Sequence, residues 1–144
     1  MWQELIKQHS DAINVRVGAS DSAIRFAERT LVVKFPGDLK TLLLESDGIE
    51  GEYGLGLVWP LDRIVEDNLS FRRNTEFKEL YMPFDCLLFF ADAGNGDQFA
   101  FPIHAGGIRR DDVFVWNHED DSRTWAAPSL SKYLEWWLSG KLTV

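Results

Sequence analysis

Cys86-Leu87-Leu88-Phe89-Phe90-Ala91-Asp92-Ala93-Gly94-Asn95-Gly96-Asp97-Gln98-Phe99-Ala100-Phe101-Pro102-Ile103 is the stretch on which the fold turns. Its first six residues form an apolar, aromatic run of strand length, which predicts a central strand covered on both faces. Cys86 is read as part of that core, because an unpaired cysteine behaves as a small hydrophobe. Gln98 to Ile103 alternates, the pattern of a strand with one covered face. Between the two runs, Asn95-Gly96 accepts positive φ and predicts a hairpin turn.

On the C-terminal side the alternation continues. Asp112-Val113-Phe114-Val115-Trp116-Asn117 and Arg123-Thr124-Trp125-Ala126-Ala127 read as a second hairpin, joined by His118-Glu119-Asp120-Asp121-Ser122. Ser129 to Leu138 then places Leu130, Tyr133, Leu134 and Trp137 on one helical face, with Gly140 as the stop. Trp136 and Trp137 are adjacent and cannot both face inward on that stripe.

On the N-terminal side the period becomes helical. Trp2, Leu5, Ile6 and His9 predict a short opening helix, and Ser20 or Asp21 caps a second through Ile24, Ala27 and Glu28. That helix is expected to fail by Thr30, before the β-branched Val32-Val33. Phe35 to Gly48 predicts a third helix with Leu39, Leu42, Leu43 and Ser46 on one face and Gly48 as left-handed cap. A glycine-rich acidic loop runs from Gly48 to Gly56, and a further helix starts after Pro60 and runs towards Arg72. Helices, then strands, then a helix predict an α+β fold: N-terminal helices, an antiparallel sheet of about five or six strands, and a C-terminal helix packed on the sheet.

The 144 residues suit one domain spanning 1–144, and 45% hydrophobic content with 13% aromatics supplies a core. With 15 basic against 23 acidic residues the formal charge is −8, which repels a phosphate backbone. Nucleic acid is therefore not expected as a partner, and a basic protein is favoured. The single cysteine, the absence of a signal-peptide pattern at the start and the lack of a membrane-length apolar run predict a cytoplasmic protein without membrane insertion.

The candidate chemistry is weak at every motif. Gly94-Asn95-Gly96 does not open a helix, has no basic residue before Arg109 and is flanked by Asp92 and Asp97, so it is not a phosphate cradle. As a calcium loop starting at Asp92 it puts Gly94 at position 3 and Ile103 at position 12, which fails the EF-hand pattern and leaves only a non-EF cation site open. Cys86 has no histidine nearby in sequence, and His9, His104 and His118 lack metal-ligand spacing. Glu119-Asp120-Asp121 are consecutive on a turn and splay apart instead of converging on one bond. No catalytic residue, metal or cofactor is predicted. Glu50, Glu52 and Tyr53 instead put an aromatic beside carboxylates, as a binding rim does.

The motifs in order resemble the SUKH superfamily. Ile24-Arg25-Phe26-Ala27-Glu28, Phe35-Pro36-Gly37-Asp38-Leu39-Lys40-Thr41-Leu42-Leu43 and Ser46-Asp47-Gly48 resemble its opening, and Trp59-Pro60-Leu61-Asp62-Arg63-Ile64 resembles its strand into a helix. Ala91 to Phe101 resembles its glycine hairpin; Val113 to Glu119, followed by the Leu130-Tyr133-Leu134 helix, resembles its close. Phe35 stands where Leu is usual, Asp47 stands where Asn is usual, and the loop after Gly48 is particular to this chain. The resemblance implies a single antiparallel sheet flanked by helices. It also implies one of two settings: bacterial immunity proteins that neutralise a cognate toxin, often a nuclease, or fungal regulators of cell-wall assembly.

Together these readings predict an immunity-type binding protein that meets a basic toxin through Glu50, Glu52, Tyr53, Asp92, Asn95 and Asp97, and through Glu119, Asp120 and Asp121. Acidic charge suits such a partner because complementary fields speed encounter. A regulatory scaffold that recognises a protein or peptide in cell-wall or signalling work is the alternative. An enzyme or small-ligand binder built on the glycine turn is a third reading.

Overall fold

Every strand pairing in the computed structural model, which describes residues 1–9 and 13–143, is antiparallel. The aromatic run forms β4 (Leu87–Asp92), buried from Leu87 to Ala91, and pairs with β5 (Gln98–Pro102). β6 (Val113–Trp116) and β7 (Arg123–Ala127) extend the sheet in the order β4-β5-β6-β7. A second sheet, in the order β1-β2-β3, is built from β1 (Asn14–Val15), β2 (Ile49–Glu50) and β3 (Gly56–Val58). The described residues thus hold seven strands in two sheets instead of five or six in one. Strands of two residues carry no measurable period, so β1 and β2 were not expected.

The two sheets adjoin along β3 and β4, and just past β3 Trp59 N–H donates to Phe90 C=O at 2.7 Å. Beyond it the edge of β4 that lacks a strand partner is closed by a side chain. Asn68, 1% exposed, donates to Phe89 C=O at 2.9 Å and accepts from Phe89 N–H at 2.9 Å. Buried backbone groups need partners, and this amide supplies both.

The helices are α1 (Trp2–Lys7), α2 (Asp21–Leu31), α3 (Gly37–Glu45), α4 (Leu61–Arg73), α5 (Thr75–Leu80) and α6 (Leu130–Leu138). Ser20 Oγ accepts from Ala23 N–H and Ser129 Oγ from Lys132 N–H, each an N-cap that stabilises its helix by about 1 kcal/mol. Proline cannot cap α4 through a side chain, and Asp47 does so from a distance, accepting from Leu61 N–H at 2.8 Å. α5 was not anticipated; Asn74 caps it by accepting from Glu76 and Phe77 N–H.

Three local expectations are corrected. α2 runs through Thr30 to Leu31, because Val32 takes the left-handed conformation (φ 56°, ψ 41°) and lets the chain turn one residue later. α3 covers only Gly37–Glu45; Ser46 is already extended, and Gly48 has its positive φ of 90° past the helix. Cys86 is exposed, not core, because Phe84–Cys86 form a 3-10 turn ahead of β4 that buries Phe84 instead. Its Sγ accepts from Arg123 Nη1 at 3.0 Å.

A core of Leu39, Leu42, Leu43, Trp59, Ile64, Phe89, Phe90, Phe99, Phe101 and Tyr133 joins helices to both sheets. Phe90 stacks on Phe101 with centroids 4.5 Å apart, and Tyr133 sits edge-on to Phe90. The Tyr133 hydroxyl donates to Leu57 C=O at 2.8 Å, and burial, followed by the charge of Asp92, pushes its pKa well up. Trp136 and Trp137 are both only partly buried, Trp136 against Trp125 and Trp137 against Phe99.

Candidate partner-binding edge

Three loops sit side by side at one edge. The first follows β2. Gly51 N–H donates to Leu55 C=O, folding Glu52–Gly54 into a 3-10 turn in which Tyr53 is left-handed (φ 59°, ψ 25°). A non-glycine residue in that region costs about 1 kcal/mol or more, and here it holds an aromatic ring fully in solvent, with 102% exposure. Glu50 and Glu52 are exposed beside it.

The second loop is the turn from β4 to β5. Its positive φ values belong to Gly94 (95°) and Gly96 (97°), while Asn95 contributes its side chain, accepting from Asp97 N–H at 3.0 Å. A Cβ on Gly94 would lie 3.5 Å from Leu55, so this turn abuts the first loop. A Cβ on Gly96 would lie 2.8 Å from the His118 ring, so it also abuts the third loop. Asp97, 7% exposed, pairs with His118 Nδ1 at 2.6 Å and accepts from His118 N–H at 3.1 Å. Asp92 is held by Arg63 in a two-point contact of 2.8 and 2.9 Å. Arg63 also contacts Asp67 at 3.0 Å and lies 4.2 Å above the Trp59 ring. Burial works against its charge, but Asp92 and Asp67 outweigh it and its pKa is raised.

The third loop joins β6 to β7. Glu119 and Asp120 are exposed; hydrogen bonds from the Ser122 hydroxyl and N–H hold Asp120 below the usual carboxylate range. Asp121 turns inward with φ 61° and accepts from Trp116 Nε1 at 2.8 Å, Met82 N–H at 2.9 Å and Arg123 Nη2 at 3.2 Å. Burial pushes the Asp121 carboxyl up, and the Met82, Trp116 and Arg123 contacts more than offset it, so its pKa is lowered.

The nine residues picked out in the sequence therefore fall into two groups. Glu50, Glu52, Tyr53, Glu119 and Asp120 project into solvent, whereas Asp92, Asp97 and Asp121 bind partners within the chain and Asn95 shapes its turn. Arg63, Trp59 and His118 are the residues that the local pattern did not link to this edge. Arg63 lies 29 positions from Asp92, and only the register of α4 against β4 brings them together. Among the described residues no group of three or more His, Cys, Asp or Glu is placed to hold a metal ion, and no helix is long and apolar enough to cross a membrane.

The geometry is that of an α+β domain with acidic loops along one edge. The SUKH_6 family model, described as SMI1-KNR4 cell-wall, matches residues 21–134, and the chain belongs to the SUKH superfamily. That superfamily includes immunity proteins and SMI1/KNR4 regulators, and its members are generally non-enzymatic binding proteins. No curated protein matches the chain.

Proposed function

We propose that this chain acts as one SUKH-like domain over residues 1–144, an immunity-type protein of the cytoplasm that neutralises a cognate basic, nuclease-like toxin by stoichiometric binding. It needs no cofactor, and nucleic acid and membrane are not its partners. The observation that carries this reading is the adjacency of the three acidic loops through the Leu55–Gly94 and Gly96–His118 contacts. Glu50, Glu52, Tyr53, Glu119 and Asp120 meet the toxin, while Asp92, Asn95, Asp97 and Asp121 hold the loops in place for it. A net charge of −8 steers a basic partner to this edge.

The test is co-expression with the toxin encoded beside its gene. Growth is expected to be restored, and the isolated complex is expected to weaken as salt is raised. Unchanged growth, or no toxin gene in the neighbourhood, sinks the reading. The description of the matching family model favours a second reading, a regulator that binds a protein partner in cell-wall work. A cell-wall operon around the gene selects it.

A further inference from the structure

We propose that the groove between α2 and α4 is a second docking surface, which takes a cationic amphipathic segment of a protein partner. The groove has a volume of about 630 Å³ and lies away from the three loops' own residues. Ala23 and Ala27 lie one turn apart on α2 and Ala19 just precedes its Ser20 cap, so small side chains leave a hollow against Leu61 and Val65 of α4. Phe26 stands at its side with 63% of its surface exposed. A large aromatic left in water beside an apolar hollow is the composition of a contact anchor.

Charge identifies the occupant. Asp47, Asp62 and Glu66 line the same groove, and no Lys or Arg does. The nearest basic residues in sequence are already neutralised, Arg25 by Asp21 and Arg63 by Asp67 and Asp92. Among the described residues neither Asp62 nor Glu66 has a basic partner. Apolar anchors flanked by Lys or Arg satisfy both the hollow and its rim, in the manner of an amphipathic helix laid into a groove. A second copy of this chain brings a like-charged rim, which repels.

The probe is a synthetic amphipathic helical peptide with Leu and Phe on one face and Lys and Arg flanking it, titrated into the full chain and followed by amide chemical shifts and calorimetry. Shifts are expected at Ala23, Phe26, Leu61 and Val65. Phe26→Ala and the pair Asp62→Lys/Glu66→Lys are each expected to weaken binding by about tenfold or more, because they remove the anchor and the rim. All three side chains are exposed, so the thermal midpoint is expected to stay put, and Glu50→Lys/Glu52→Lys is expected to leave this affinity within about twofold. Absence of binding, shifts confined to the three loops, or indifference to Phe26→Ala overturns the proposal. Equal affinity for a peptide with Glu in place of Lys and Arg overturns it too, leaving a plain apolar cleft. Concentration-dependent dimerisation lost on Phe26→Ala also overturns it, because the occupant is then a second copy. Because toxin neutralisation is read separately by growth, either proposal can fail while the other stands.

Discussion

The loop at Glu50–Tyr53 and the loop at Glu119–Asp121 have nearly the same acidic content, yet the fold uses them differently. In the first, both carboxylates and the tyrosine ring face water, and the backbone accepts a left-handed tyrosine to keep them there. In the second, one aspartate turns inward and fastens three separate segments: Trp116 on β6, Met82 after α5 and Arg123 on β7. An acidic cluster is thus not one kind of object. A carboxylate that accepts several hydrogen bonds within the chain fixes loop shape, whereas one left in solvent is available to a partner and adds to the long-range field.

The sharpest way to break this contrast is Asp121→Ala. It leaves the Trp116 N–H, the Met82 N–H and the Arg123 guanidinium short of an acceptor, and a loss of about 2–4 kcal/mol is expected in denaturant unfolding. Asp121 also carries a pH signature. Its carboxyl lies below the ordinary aspartate value of 3.8 when folded, so its stabilisation is in full force above that value and fades as pH falls through the lowered one. The parent is therefore expected to lose stability more steeply than Asp121→Asn below about pH 4. Matching acid profiles contradict the assignment.

Gly96→Ala should have the next largest effect. The residue combines a φ of 97° with a Cβ position 2.8 Å from His118, so the ring must leave Asp97 or the turn must shift. A loss of about 1–3 kcal/mol is expected by thermal unfolding, with the His118 ring resonances displaced. Smallest in stability is Glu50→Lys/Glu52→Lys, expected within about 0.5 kcal/mol of the parent. The same variant should slow association with a basic toxin by about tenfold at low salt, read by stopped flow, and much less at high salt. If it unfolds the chain while Asp121→Ala does not, the division between the two loops is reversed.

Much of this architecture was legible because its long elements carry a period. The run Leu87–Ala91 and the stripe Leu130, Tyr133, Leu134 each bury the side they predict, whereas β5, expected to have one covered face, buries Phe99, Ala100 and Phe101 alike and so is covered on both. What escaped has a physical reason. β1 and β2 are only two residues each, too short to show a period, α5 is only six residues long, and Cys86 was displaced from β4 by the turn that Pro83 and Phe84 set. At the candidate edge the acidic residue types were visible, but not their division of labour. Whether Asp92 faces a partner or Arg63 depends on how α4 lies on β4, which no local window contains.

The hydrogen bond from Trp59 to Phe90 has a kinetic consequence. β4 to β7 are consecutive hairpins within residues 87–127, so their contacts close short loops. β1 cannot pair with β2 until Val15 and Ile49 meet across a far longer span. Closing the longer loop carries the larger entropic cost and comes late. The four-stranded sheet is therefore expected to act as the nucleus on which the smaller sheet condenses. The Trp59 amide, at the seam between them, is expected to become protected from hydrogen exchange only in the last step of folding.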